Sequence, residues 1–195
     1  RGAGPAAHHD APQHPGVRVV TARRLIAHAL GVVALTAAPA AAQSAIDFTI
    51  SGSSTVRNWT CNAQGVVTVT PASAGTAAPG FPAGLQSAKV MVPLKAFTCP
   101  NEEMTQHLNE ALHADTFSEI VFQMEKYTVA GAQVDASGTM TITGVTKPIT
   151  VPLTVTPSAA GVAVEGSTRL EFATFNIEPP TVFLGMLKVG PQIRV

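Results

Sequence analysis

Between residues 138 and 157, GTMTITGVTKPITVPLTVTP, apolar and polar positions alternate on both sides of a turn-like GVTKP. Successive side chains of a strand point to opposite faces, so Met140 and Ile142 share one side while Thr139, Thr141 and Thr143 share the other. Beyond the turn, Ile149, Val151, Leu153 and Val155 fall on one face and Thr150, Pro152, Thr154 and Thr156 on the opposite one. The pattern predicts an antiparallel hairpin that is wet on one side and dry on the other. Its dry side faces either packed side chains or a bound apolar guest, and alternation alone does not choose between them.

Strand signals recur over residues 46–51, 54–60, 66–70, 87–97, 120–129, 162–172 and 184–195, each with alternation or β-rich composition. Ile120, Phe122 and Met124 share a face opposite Glu119, Val121, Gln123 and Glu125. Val162, Val164, Leu170 and Phe172 oppose Glu165, Arg169 and Glu171 in the same way. Short strands divided by turn signals predict an all-β sandwich or barrel. Residues 71–84, PASAGTAAPGFPAG, have the Pro, Gly and small-residue content of a mobile loop. One segment departs from the strand pattern. In NEEMTQHLNEALHAD, residues 101–115, Met104, Leu108, Ala111 and Leu112 recur at helical spacing, with Glu102 and Glu103 where a helix dipole favours anions. A single amphipathic helix among strands either closes one end of a barrel or packs on the sheet.

Composition narrows the class. Charged residues are 12% and hydrophobic ones 46% of 195, enough for one domain of ordinary size and too apolar for a disordered chain. Basic and acidic residues balance at 12 each, and no basic run outside the N-terminal region suggests a nucleic-acid partner. Arg23 and Arg24 precede an apolar run from Leu25 to Leu35, which ends in small residues up to Ala40-Ala41-Ala42. That is the layout of a secretory signal peptide, and the apolar run is shorter than a membrane-spanning helix requires. Residues 1–42 are therefore read as an N-terminal extension with a signal peptide, and 43–195 as the mature domain, periplasmic or secreted. Four arginines and Asp10 leave with the leader, so the remainder is mildly acidic. Export favours a disulfide between the two cysteines, Cys61 and Cys99.

Four stretches then stand in order: STVRNWTC (54–61), LHADTFSEIVFQM (112–124), GTMTITGVTKPITVPLTV (138–155) and FNIEPPTVFLGMLKVGPQIRV (175–195). Together they resemble the YceI-like family of secreted, lipocalin-like bacterial proteins that bind polyisoprenoids, over residues 46–195. The resemblance implies an antiparallel lipocalin-like eight-stranded barrel with one short amphipathic helix. It also implies a hydrophobic channel for the tail of an isoprenoid or quinone-like lipid, with no other cofactor. Combined with the alternation, it assigns the channel lining to Val56, Val92, Leu94, Ile120, Phe122, Met124, Met140, Ile142, Val151, Leu153, Leu170, Phe172, Phe183 and Met186. Met104 and Leu108 on the helix would cover one end. Transient contact with a membrane surface and a homodimer are both compatible with this reading.

Catalytic chemistry finds little support. His107, His113, Asp115 and Ser118 contain the residue types of an acid, base and nucleophile set, but they sit on or beside one helix with no nucleophile elbow or oxyanion motif. His107 and His113 are six residues apart, a poor fit to one helix face for a metal pair. The reading is therefore a non-enzymatic protein with no catalytic residue and no metal. Trp59 has two roles open to it, stacking on a head group or plugging a barrel end. The alternative to lipid binding is a barrel with a filled core that serves as a structural or stress-associated interaction domain.

Overall fold

A computed structural model describes residues 40–159, 161–182 and 187–195. The chain order is β1 (Ala42–Ser54), β2 (Asn58–Pro71), β3 (Leu85–Pro93), α1 (Glu102–Ala111), β4 (Glu119–Ala130), β5 (Gln133–Ile142), β6 (Val145–Ser158), β7 (Gly161–Gly166), β8 (Arg169–Glu171), β9 (Thr181–Val182) and β10 (Leu187–Arg194). The expected leader lies outside the described residues as far as residue 39, and Ala42, at its expected end, opens β1.

The hairpin of β5 and β6 follows the alternation closely. Val134, Ala136, Met140 and Ile142 are buried, and on the paired strand Ile149, Val151 and Leu153 are half-buried and Val155 buried. The threonines of β6 are exposed. The turn is tighter than GVTKP, because Ile142 already pairs with Val145 and only Thr143 and Gly144 lie between. Both have positive φ, 47° and 74°, as a two-residue turn matched to the strand twist requires. A β-branched threonine is a poor choice there, but its hydroxyl donates to the Phe175 carbonyl at 3.0 Å and ties the turn to the core. Pro148 and Pro152 are tolerated because β7 pairs with β6 only from Leu153 onward.

In β4 the alternation changes phase. Met124 opposes Gly138 but Lys126 opposes Ser137, so Glu125 is an extra residue in a β-bulge. Ile120, Phe122 and Met124 face inward before it, and Tyr127 and Val129 face inward after it, opposite Ala136 and Val134. Gly138 is required at this point, since an added Cβ would lie 2.0 Å from the Gln123 carbonyl oxygen.

Three predicted strands are corrected. The strand expected over 87–97 ends at Pro93 and gives way to a 3₁₀ turn, Leu94–Ala96. Residues 54–60 straddle a turn, because the Ser54 hydroxyl accepts from the Val56 and Arg57 amides at 3.3 and 3.2 Å and donates to the Arg57 carbonyl at 2.8 Å. This local network competes with the strand ladder. Residues 162–172 form two strands and a short 3₁₀ turn, Phe172–Phe175. Strand β7 pairs with β6, whereas β8 pairs with β10. These are the two ends of the sheet order β7-β6-β5-β4-β3-β2-β1-β10-β8, in which all the pairings are antiparallel. The segment from Gly161 to Glu171 thus spans the seam of the curled sheet, and Thr168 exchanges two backbone hydrogen bonds with Val195 at 2.9 and 3.0 Å. Counted as one interrupted stave, β7 and β8 complete the eight-stranded antiparallel barrel, with β9 adding a short pairing to β10.

Helix α1 joins the core through Leu108, with Met104 and Ala111 half-buried beside it. The Asn101 side chain caps it by accepting from the Met104 amide at 2.8 Å. It stops at Ala111 rather than running to residue 115, because His113 takes a φ of 50° and turns the chain. Cys61 and Cys99 form a disulfide that joins β2 to the segment leading into α1. Beside it, Asn62 and Thr98 exchange backbone hydrogen bonds at 2.9 and 2.7 Å. The loop 72–84, at the other end of β2, is tied by the Tyr127 hydroxyl, which donates to the Thr76 carbonyl and accepts from the Leu85 amide at 3.0 Å.

Candidate functional site

The expected lining residues divide into five groups. Val92, Leu94, Ile120, Met140, Ile142, Leu170 and Phe172 belong to one closed apolar core, in which Val92 and Leu94 have 0% exposure. Met124 is buried outside that cluster, in the half of the barrel that also holds Val134, Ala136 and Val155. Phe122, Val151 and Leu153 are half-buried on the same inner face, as is Ile149. Val56 is different: at 70% exposure it stands in the turn between β1 and β2 and does not face inward, because the Ser54 network places it outside the ladder. Phe183 and Met186 lie outside the described residues.

A cavity of about 220 Å³ opens beneath α1. Its walls are Trp59 and Cys61 of β2, Met104, Leu108 and Ala111 of α1, Phe172, and Leu187 and Val189 of β10. Each comes from a local rule. Met104, Leu108 and Ala111 lie on the inner stripe of the helix, and Leu187 and Val189 alternate with Lys188. Ser54, Arg57, Asn101, Glu103 and His107 supply the polar part of the lining. An apolar enclosure with a few convergent polar groups is the form of a small-molecule site. A second, more polar cleft of about 530 Å³ adjoins it, lined by His107, Glu110, His113, Asn176 and Glu178.

Met104 and Leu108, expected to cover one end, line this cavity, and Phe172 is the one expected lining residue that reaches it among those described. Sequence reasoning missed Leu187, Val189 and Ala111 as cavity residues. Their periodicity was visible, but it does not show that residues of α1 and β10 line a common space. Trp59 forms part of the wall, and its indole N–H is already used, donating to the Ser53 carbonyl at 3.2 Å. Its ring lies against Gly52, where an added Cβ would come within 2.6 Å of Cζ2.

The residues considered for catalysis do not converge. Asp115 pairs with Lys95 at 3.0 Å on the surface, and the Ser118 carbonyl accepts from the Leu94 amide at 2.9 Å. His107 is flanked by carboxylates on its own helix, with Nε2 3.7 Å from Glu103 and Nδ1 3.5 Å from Glu110. Among the described residues no group of three or more His, Cys, Asp or Glu is placed to hold a metal ion.

Comparison with known proteins supplies the remaining findings. A sequence model of the YceI-like domain matches residues 38–195. No curated protein matches significantly. Among solved structures, BcnA of Burkholderia cenocepacia is similar with a TM-score of 0.56 at 17% identity, covering 75% of this chain and 95% of its own. A polyisoprenoid binding domain from Saccharophagus degradans, implicated in plant cell wall breakdown, matches with a TM-score of 0.56 at 15% identity over 80% of this chain and 94% of its own. The Campylobacter jejuni YceI protein matches with a TM-score of 0.52 at 13% identity over 93% of this chain and 94% of its own. At these identities the likeness is one of fold.

Proposed function

The chain belongs to the YceI-like domain family, and from that premise we propose that it binds a polyisoprenoid or quinone-like lipid without chemical change, to carry or sequester it. In this reading the protein is exported, its leader is removed near Ala42, and the mature domain works in the periplasm or outside the cell. The observation that carries the proposal is the apolar inner face of the sheet. It includes the cavity beneath α1 and the half-buried residues Phe122, Ile149, Val151 and Leu153. The polyisoprenoid binding domain of Saccharophagus degradans, on the same fold, supports the ligand class.

A tail of isoprene units suits such a surface because it offers only apolar area. Burial is worth roughly 0.8 kcal/mol per CH₂-sized increment, so each five-carbon unit brings about 3–4 kcal/mol before the costs of association. No proton transfer or covalent step is needed for such binding.

The test compares the two faces of β6. Leu153→Asp and Val151→Asp put a charge on the inner wall, whereas Thr154→Asp puts one on the outer wall. Uptake of a polyprenyl quinone from vesicles, read by flotation, falls at least tenfold for the inner pair and stays within twofold for the outer variant. Circular dichroism establishes that all three are folded. Equal uptake by all of them overturns the proposal. A second reading, a filled barrel that acts as an interaction domain, draws on the closed packing of Val92 and Leu94, and the same assay decides it by showing no uptake in the parent protein.

A further inference from the structure

The loop 72–84 leaves β2 and rejoins the sheet at β3, at the end of β2 remote from the disulfide. It is rooted on neighbouring strands, yet its tip reaches β7: a Cβ added to Gly80 would lie 2.3 Å from Val162 Cγ2. Strands β4, β5 and β6 stand between β3 and β7 in the sheet. Val162 opposes Pro157 as Val164 opposes Val155, so Val162 lies on the inner face with the buried Val155. Tyr127, also on the inner face, meets the loop at Thr76. Contact with the inner sides of both β4 and β7 takes the loop across the end of the curled sheet rather than around its outside. Val164, next on the face of Val162, is 52% exposed, which puts this contact at the rim.

Root and tip are held differently. At the root the Ala72 amide donates to the Gly84 carbonyl at 3.0 Å, and the Tyr127 hydroxyl bridges the Thr76 carbonyl and the Leu85 amide. Tyr127 thus grips both feet of segment 77–84. That segment reads AAPGFPAG and has no polar side chain. Its backbone bonds close on themselves: Ala78 and Phe81 exchange two at 3.0 and 2.8 Å, and the Gly84 amide donates to the Phe81 carbonyl at 2.9 Å. Among the described residues no hydrogen bond or ion pair joins the segment to β7. Lifting the tip about its root therefore breaks no polar contact and exposes only apolar surface. A compact loop with its ends bonded together and its tip held by apolar contact alone is the form of a hinged flap. We propose that segment 77–84 is a lid over the barrel end remote from the disulfide, seated by Gly80 on Val162 and hinged at Tyr127, and that its opening sets the rate at which a guest enters and leaves. The proposal rests on the reading that the barrel holds an isoprenoid tail, and it adds the gate that controls passage.

The same contact offers a lock, since the Cβ position at Gly80 is 3.5 Å from Val162 Cβ, a separation that a disulfide spans. In the full-length protein, Gly80→Cys combined with Val162→Cys is oxidised, and closure of the bridge is read by mass. Transfer of a radiolabelled polyprenyl quinone from vesicles is followed in time by flotation. With the bridge closed, uptake and release each slow at least tenfold, while the amount bound at equilibrium stays within twofold. Reduction restores the rate of the parent protein treated alike, which also controls for Cys61–Cys99. Gly80→Cys alone controls for the strain of a side chain at a φ of 78°. Tyr127→Phe acts in the opposite direction and speeds uptake about fivefold, through the loss of one hydrogen bond at the hinge. Exchange at the parent rate with the bridge closed, or failure of the two cysteines to bridge, overturns the lid and leaves lipid binding standing. Failure of the parent protein to take up the lipid removes both readings.

Discussion

Replacing Cys61 and Cys99 together by alanine removes a bridge that closes a sequence separation of 38 residues. On the chain-entropy account, a loop of that length is worth about 4 kcal/mol, nearly all of it through the freedom restored to the unfolded chain. The folded state should change little. Asn62 and Thr98 keep their two backbone hydrogen bonds beside the vacated site, and the Cys99 amide still donates to the Thr105 hydroxyl at 3.0 Å. Domains of this size have total stabilities of about 5–15 kcal/mol, so the variant folds but loses a large share of its margin. With a urea slope of about 2 kcal/mol per molar, the unfolding midpoint drops by about 2 M while the slope stays nearly constant. Treating the parent protein with reductant gives a similar drop, and near-ultraviolet circular dichroism of the folded variant matches the parent. A midpoint shift below about 0.5 M would refute the argument, because the bridge would then not restrict the unfolded chain. A lost near-ultraviolet signal would refute it differently, by showing that the bridge holds α1 in place.

Three further outcomes follow from the packing. Asn101→Ala removes the α1 cap and costs about 1 kcal/mol, seen by calorimetry as a fall in Tm of about 2–4 °C; an unchanged Tm would contradict the cap's role. Tyr127→Phe leaves the Leu85 amide and the Thr76 carbonyl without their partner, so limited proteolysis cuts faster within 72–84 and stability falls by about 1–3 kcal/mol. An unchanged cleavage pattern would show that the loop is held by other means. Gly138→Ala forces a Cβ against the Gln123 carbonyl beside the β4 bulge and destabilises by about 1–3 kcal/mol, whereas a loss below about 0.5 kcal/mol would show that the two strands can part at no cost.

Much of the barrel was legible in the sequence because alternation in β5 and β6 matches burial almost residue by residue. The parts that were not legible have local causes. Alternation has no means of marking Glu125 as an extra residue, so the phase change that brings Tyr127 and Val129 inward is visible only through the pairing with β5. Residues 162–172 alternate as one strand, yet two different neighbours claim their halves, and Val164 is left 52% exposed on β7. Val56 alternates correctly with its neighbours but is removed from the inner face by a serine three residues before Arg57. The cavity brings residues of β2, α1 and β10 together, and no periodicity within one element marks that. Of its lining, Met104 and Leu108 were anticipated, and Ala111 and the β10 residues were not.

The central claim is that the inner face receives an isoprenoid lipid. Native mass spectrometry of the protein isolated from a bacterial envelope, without exposure to added lipid, tests it most directly. The account predicts a population heavier than the chain by one lipid mass, released on collisional activation and identified by fragmentation as a repeating five-carbon tail. A single ligand-free mass that stays unchanged after incubation with polyprenyl quinones would contradict it.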